Sequence, residues 1–77
     1  MKTDEENKFL RSVGVRIRSE REKLGISQEA LGLEVGLSKN QVGRIERAQH
    51  ATSVLILHRM AIFFEIDIKT FFVFEYA

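Results

Sequence analysis

The chain has 77 residues, 44% of them hydrophobic and 30% charged, with a formal net charge of +1. That length supports one domain with a small core, and the composition argues against wholesale disorder. The absence of Cys excludes disulfides and thiolate metal sites, and the absence of Pro suits helices joined by short connections. The near-neutral net charge hides an uneven distribution. Residues 1–7 carry −2, residues 8–47 carry +4 and residues 48–77 carry −1. The positive excess sits in the middle of the chain, where phosphate contact would use it. No apolar stretch of the signal-peptide kind follows the first residues. The best candidate for a membrane span, residues 54–64, is interrupted by His58 and Arg59 and followed by Glu65, Asp67 and Lys69. A cytoplasmic protein without membrane contact is expected.

Residues 1–7 are polar and acidic and are expected to be a flexible, frayed segment. The first helix is expected over 8–24, with Leu10, Val13, Ile17, Arg21 and Leu24 forming one stripe. Arg21 is the anomaly in that stripe. Gly25 ends the helix and Ile26 leads to Ser27, a good N-cap for a second helix over 28–35. That helix turns Ala30, Leu31 and Val35 inward. Gly32 lies in its middle, where glycine costs about 1 kcal/mol relative to alanine and makes sense where another helix backbone passes close by. Gly36 takes the left-handed conformation that stops the helix. Ser38 then caps a third helix over 39–47, whose inward face is Val42, Ile45 and, one step round, Glu46. Two capped helices meeting at a glycine corner make a helix-turn-helix. Arg21 and Glu46 are misfits of opposite sign. The economical inference is that they form a structural ion pair tying the first helix to the end of the third; the alternative is that each reaches water separately.

After a polar connection through residues 48–51, Thr52 or Ser53 caps a fourth helix over 54–64. It is apolar nearly all round. Leu57, Ala61 and Phe64 form one stripe and Ile56, Met60 and Phe63 another. Asp67 caps a last short helix over 68–73. From residue 54 to the end, 17 of 24 residues are hydrophobic, more than one face of one small domain needs. Leu55, Ile56, Met60, Phe63, Phe71 and Phe74 are therefore expected to form a homodimer interface, and the tail 73–77 to contribute a dimer contact. A simply dense core is the alternative.

Counted from Gln28 as the first motif position, a small residue falls fifth (Gly32), Gly ninth (Gly36), and branched aliphatics fifteenth and eighteenth (Val42, Ile45). This pattern resembles the phage-repressor-like, XRE-type helix-turn-helix proteins. The flanks, 17–28, 44–47 and 66–72, look like the corresponding parts of that family, so the resemblance covers about residues 9–72. It implies an all-α, compact five-helix domain over 8–72 with the helix-turn-helix at helices 2 and 3. It also implies a sequence-specific regulator of transcription that binds double-stranded DNA. Five positions depart from the family pattern. Gly32 stands where Ala is preferred, Gly43 where a polar residue is usual, Ala48 and Glu65 where Gly is common, and Thr52 where Pro is frequent. Gly43 leaves one reading position of the recognition helix empty.

In the implied geometry the third helix enters the major groove. Lys39, Asn40 and Arg44, with Gln41 less directly, are the expected base readers, since Asn bonds adenine and Arg or Lys bonds guanine at the base edges. Gln28, Ser38, Arg18, Arg47 and Gln49 are the expected phosphate contacts, with His50 joining at low pH. Such contacts set register and not sequence. Two copies related by a twofold axis would read a pseudo-palindromic operator. No enzyme, metal or cofactor is expected: His50 and His58 have no ligand pattern around them, and there is no catalytic triad or phosphate-binding glycine loop. The alternatives are an antitoxin or restriction-modification controller of the same fold, or a module that keeps the fold and binds a protein partner. Steep weakening with salt marks the DNA binders.

Overall fold

Hydroxyl side chains set where the helices begin. In the computed structural model, which describes residues 2–74, Thr3, Ser27, Ser38 and Ser53 each accept a bond from the backbone N–H three residues on, at 3.0–3.1 Å. These bonds satisfy amides that have no partner inside the helix. The elements that follow are α1 (Asp4–Lys23), α2 (Gln28–Val35), α3 (Lys39–Glu46), α4 (Val54–Phe64) and a 3-10 helix (Ile68–Phe72). Asp67 caps the last of these through Lys69 N–H at 3.0 Å. The fold is all-α, as the sequence indicates, with the fifth helix wound as 3-10. Of the tail 73–77, residues 75–77 lie outside the described residues.

α1 begins at Asp4, four residues before the expected start. Thr3 and Glu6 form a reciprocal capping box, with Thr3 N–H donating to Glu6 Oε1 at 2.9 Å. Asp4, Glu5 and Glu6 then sit in the first turn, where acids favour the positive end of the helix dipole. The bond from the Thr3 backbone holds the Glu6 carboxyl below the ordinary glutamate range.

Residues with left-handed backbone close the four α-helices: Gly25, Gly36, Ala48 and Glu65, with φ of 66°, 84°, 60° and 58°. At Ala48 the pattern is a Schellman turn. Ala48 N–H donates to Ile45 O at 3.0 Å and Gln49 N–H to Arg44 O at 2.8 Å. Glu65 and Ile66 repeat it on α4. Two of the four residues carry a Cβ that this conformation disfavours.

The core is Val13 and Ile17 of α1, Leu31 and Val35 of α2, Val42 and Ile45 of α3, Leu57, Met60, Ala61 and Phe64 of α4, and Phe71. Phe71 is fully buried and meets Phe64 edge-on, with ring centroids 6.4 Å apart. Two expectations are corrected here. Leu24 is exposed rather than core, because the chain turns at Gly25 before that position can face inward. Met60 and Phe71 are fully buried within the chain, so neither can serve a dimer interface. Phe9, which no apolar stripe included, stacks on Phe72 at 6.2 Å and meets Phe74 edge-on at 5.4 Å, holding residues 72–74 against α1. Among the described residues no helix is long and apolar enough to cross a membrane.

The left-handed alanine and glutamate give a stability test. Ala48→Gly and Glu65→Gly should each stabilise the fold by about 0.5–1 kcal/mol. Relief of about 1–2 kcal/mol of backbone strain is offset in part by the greater freedom of glycine in the unfolded chain. Urea unfolding of the two variants, singly and together, measures this.

Candidate nucleic-acid interface

One buried carboxylate joins the three helices around the corner. Glu46, on the last turn of α3, accepts from Arg21 Nε at 2.7 Å on Oε2 and from Arg21 Nη2 at 3.0 Å on Oε1. The same Oε1 accepts from Gln28 Nε2 at 3.1 Å, and Arg21 Nη1 donates to Ile26 O at 2.9 Å. α1, the entry to α2 and the end of α3 are thus fixed by one planar fork. The Arg21 and Glu46 side chains are 12% and 2% exposed. The bond to Glu46 pushes the Arg21 guanidinium above the ordinary arginine value, so Arg21 stays charged throughout the neutral range.

Two glycines let the backbones close up around this knot. A Cβ on Gly14 would lie 2.5 Å from Glu46 O and 2.7 Å from Ile45 O, so α1 rests directly on the last carbonyls of α3. A Cβ on Gly32 would collide with the Leu37 carbonyl. The close neighbour at Gly32 is therefore the corner itself, where the chain passes from α2 into α3, and not another helix. Arg59 of α4 supports the same corner by donating from Nη1 to Val35 O at 3.3 Å.

On the outer side of α3, Lys39, Asn40 and Arg44 are exposed and their side chains make no hydrogen bond or ion pair among the described residues. Asn40 and Arg44, four apart, share one face. Gln41 is also exposed, but its Oε1 accepts from Ser38 N–H at 2.8 Å while its own N–H donates to Ser38 Oγ at 3.1 Å. The start of the helix therefore holds both Ser38 and the Gln41 carbonyl in a capping box, leaving the Gln41 amide N–H groups available. Gln28 is half-buried and its amide is engaged by Glu46. Arg47 closes α3 and donates from Nη2 to Gln49 Oε1 at 3.3 Å. The Schellman turn brings the Gln49 and His50 amides back to Arg44 O. Arg18 pairs with Glu22 at 3.5 Å on the exposed face of α1, and no hydrogen bond or ion pair joins it to α3.

Gly43 is not an outward gap. It is buried, with the Arg47 guanidinium and the Gln28 amide oxygen over it. Sequence spacing alone places it on the reading face. The side chain four residues on, which lies back over the preceding turn, is what covers it. Among the described residues there is no group of three or more His, Asp or Glu side chains able to hold a metal ion.

A family model described as helix-turn-helix matches residues 17–71. The chain belongs to the XRE-type helix-turn-helix family. An uncharacterised HTH-type transcriptional regulator from Methanothermobacter thermautotrophicus is 33% identical over 45 residues, spanning 58% of this chain and 65% of that protein. Among solved structures, the restriction-modification controller protein C.AhdI from Aeromonas hydrophila superposes with a TM-score of 0.76. It is 32% identical, over 80% of this chain and 94% of the controller. The P22 c2 repressor, solved in complex with a synthetic operator, superposes with a TM-score of 0.72 at 30% identity, over 77% of this chain and 89% of the repressor.

The knot is expected to set the rigidity of the family's corner in this chain. Glu46→Ala should lower the unfolding free energy by about 3–5 kcal/mol, because it leaves a buried guanidinium without its partner. Combining Arg21→Met with Glu46→Leu should cost far less than the two single changes added together. Urea unfolding of the four corners of that cycle measures the coupling.

Proposed function

We propose that this chain is a sequence-specific regulator of transcription that binds double-stranded DNA through α3. The observation that carries the reading is the exposed, unpartnered row Lys39, Asn40 and Arg44 on a helix whose other face is locked into the core. The chemistry suits base edges: Asn40 can bond adenine N6 and N7, and Arg44 or Lys39 guanine O6 and N7. Gln28 at the start of α2, Ser38, Arg47 and Gln49 supply phosphate contacts beside it, and the Gln41 amide adds a donor. Arg18, paired with Glu22, is left out of this set. The net charge of +4 over residues 8–47 favours the same partner. The likeness to a repressor solved on an operator, across most of both chains, supports the reading.

The protein acts as a homodimer on a pseudo-palindromic site in this reading. With Met60 and Phe71 in the core, the apolar surface that α4 offers for self-association is Leu55 and Ile62, 55% and 64% exposed, with Val54 beside them. Half-buried Ile56, Phe63 and Phe74 border the core and contribute at its margin. The likeness to a restriction-modification controller over nearly its whole length favours a controller-type regulator as the second reading.

Selection of bound duplexes from random DNA tests this, with the mass in solution measured alongside. The expected result is an enriched site with two related halves about one helical turn apart, and a mass near twice the 8.9 kDa of one chain. Asn40→Ala or Arg44→Ala should weaken that site by about 1–3 kcal/mol and relax one base position. Gln28→Ala should weaken all sequences alike. Equal losses on selected and random DNA for all three variants would remove α3 as the reader.

A further inference from the structure

Gly43 faces the surface assigned above to DNA, and yet it is buried. Its cover is a flexible cation. A Cβ built on Gly43 would lie 2.8 Å from Arg47 Nη1, 3.4 Å from Arg47 Nη2 and 3.3 Å from Gln28 Oε1. The Arg47 side chain therefore folds back one helical turn and lays its guanidinium in the notch that the missing side chain leaves. Gln49 Oε1 holds the same group at 3.3 Å. No carboxylate pairs with Arg47 among the described residues, so the charge is unspent.

We infer that Gly43 is a positioning residue: its lack of a side chain seats the Arg47 guanidinium beside the start of α2, where it and the backbone amides that open α2 grip one phosphodiester of the bound duplex. The inference rests on the DNA-binding reading. Three features favour a phosphate over a base edge. The helix reads bases with its N-terminal residues, and Arg47 closes its C-terminal end. Gln28 opens α2, whose N-terminal amides favour anions. A guanidinium presents the planar fork that matches phosphate oxygens, and seating it in advance removes part of the ordering cost of binding. The departure that first looks like a lost reading position is, on this view, what places a second contact.

The slot separates folding from binding. The nearest neighbours of a methyl at position 43 are side-chain ends, the Arg47 guanidinium first and then the Gln28 amide oxygen, so the fold can absorb it by moving Arg47. Alanine is also the better helix former. Gly43→Ala should therefore melt no lower than the native chain and yet bind DNA less well. The test uses the full chain and a mixed-sequence 24-base-pair duplex, with affinity measured from 50 to 300 mM salt for native, Gly43→Ala, Arg47→Ala and the double variant. Gly43→Ala is expected to weaken binding about three- to tenfold, with a plot of log K against log salt shallower by about 0.9, the value of one phosphate. Arg47→Ala should give the same loss, and the double variant no more. Native-like binding by Gly43→Ala, or losses that multiply in the double variant, would overturn the inference while leaving the DNA reading intact. Absence of duplex binding by the native chain at 50 mM salt would overturn both. The Arg47 Nε–H resonance of the native chain gives a readout that needs no variant to fold. It is expected to shift on duplex addition, and an unmoved signal at saturation would overturn the seat.

Discussion

Glu46 accepts three hydrogen bonds from two helices while buried on a third, and the geometry of the corner depends on it. A buried ion pair of this kind adds little net stability over a well-packed apolar substitute, but it is costly to leave half-made. Its effect here is directional. The Arg21 fork accepts one orientation of the carboxylate, Gln28 completes it, and the Ile26 carbonyl takes the remaining donor. Gly14 makes the arrangement possible by letting α1 lie against the carbonyls of Ile45 and Glu46. The same carboxylate that closes the core on its inner side therefore determines where the outer face of α3, with Lys39, Asn40 and Arg44, stands relative to the start of α2. In the proposed function that relation is the distance between base readers and phosphate contacts.

A chain of this size has little stability to spare. Its helix starts are well capped, and two of its helix ends are strained. Ala48 and Glu65 hold left-handed backbone where glycine would sit without penalty. At Ala48 the strained residue directs Gln49 and His50 back to Arg44, beside the surface proposed to meet DNA. At Glu65 it turns the chain from α4 toward Phe71, the most buried aromatic. The hydroxyl caps, the Phe64–Phe71 contact and the Phe9, Phe72 and Phe74 cluster offset this strain locally.

The helices were legible in the sequence wherever a cap and a stop were both written in it. Ser27 with Gly36 bounds α2, whereas α4 had only its start written, as Thr52 or Ser53, and stops at a left-handed Glu65. The start of α1 was equally written, as Thr-x-x-Glu at positions 3 to 6, but its acidity reads as solvation unless the reciprocal bonds are considered. The α4 faces were not legible, because a helix apolar all round carries no periodic signal. Only packing shows that Met60 faces the core and Leu55 does not. Glu20 shows the same limit: it is buried while its partner Lys23 is mostly exposed, and no pattern marks it. The outward row Lys39, Asn40 and Arg44 follows from helix geometry. The seat at Gly43 does not, since it arises from where a side chain four residues away comes to rest.

The most direct measurement of the proposed reading is the change in backbone amide resonances of the native chain as a selected duplex is added. Perturbations should concentrate at residues 27–28 and 38–50, covering the start of α2, the whole of α3 and the turn after it, and they should reverse as salt is raised. Perturbations centred instead on Val54, Leu55 and Ile62 of α4, or a spectrum unchanged by duplex at low salt, would contradict a DNA-reading role for α3.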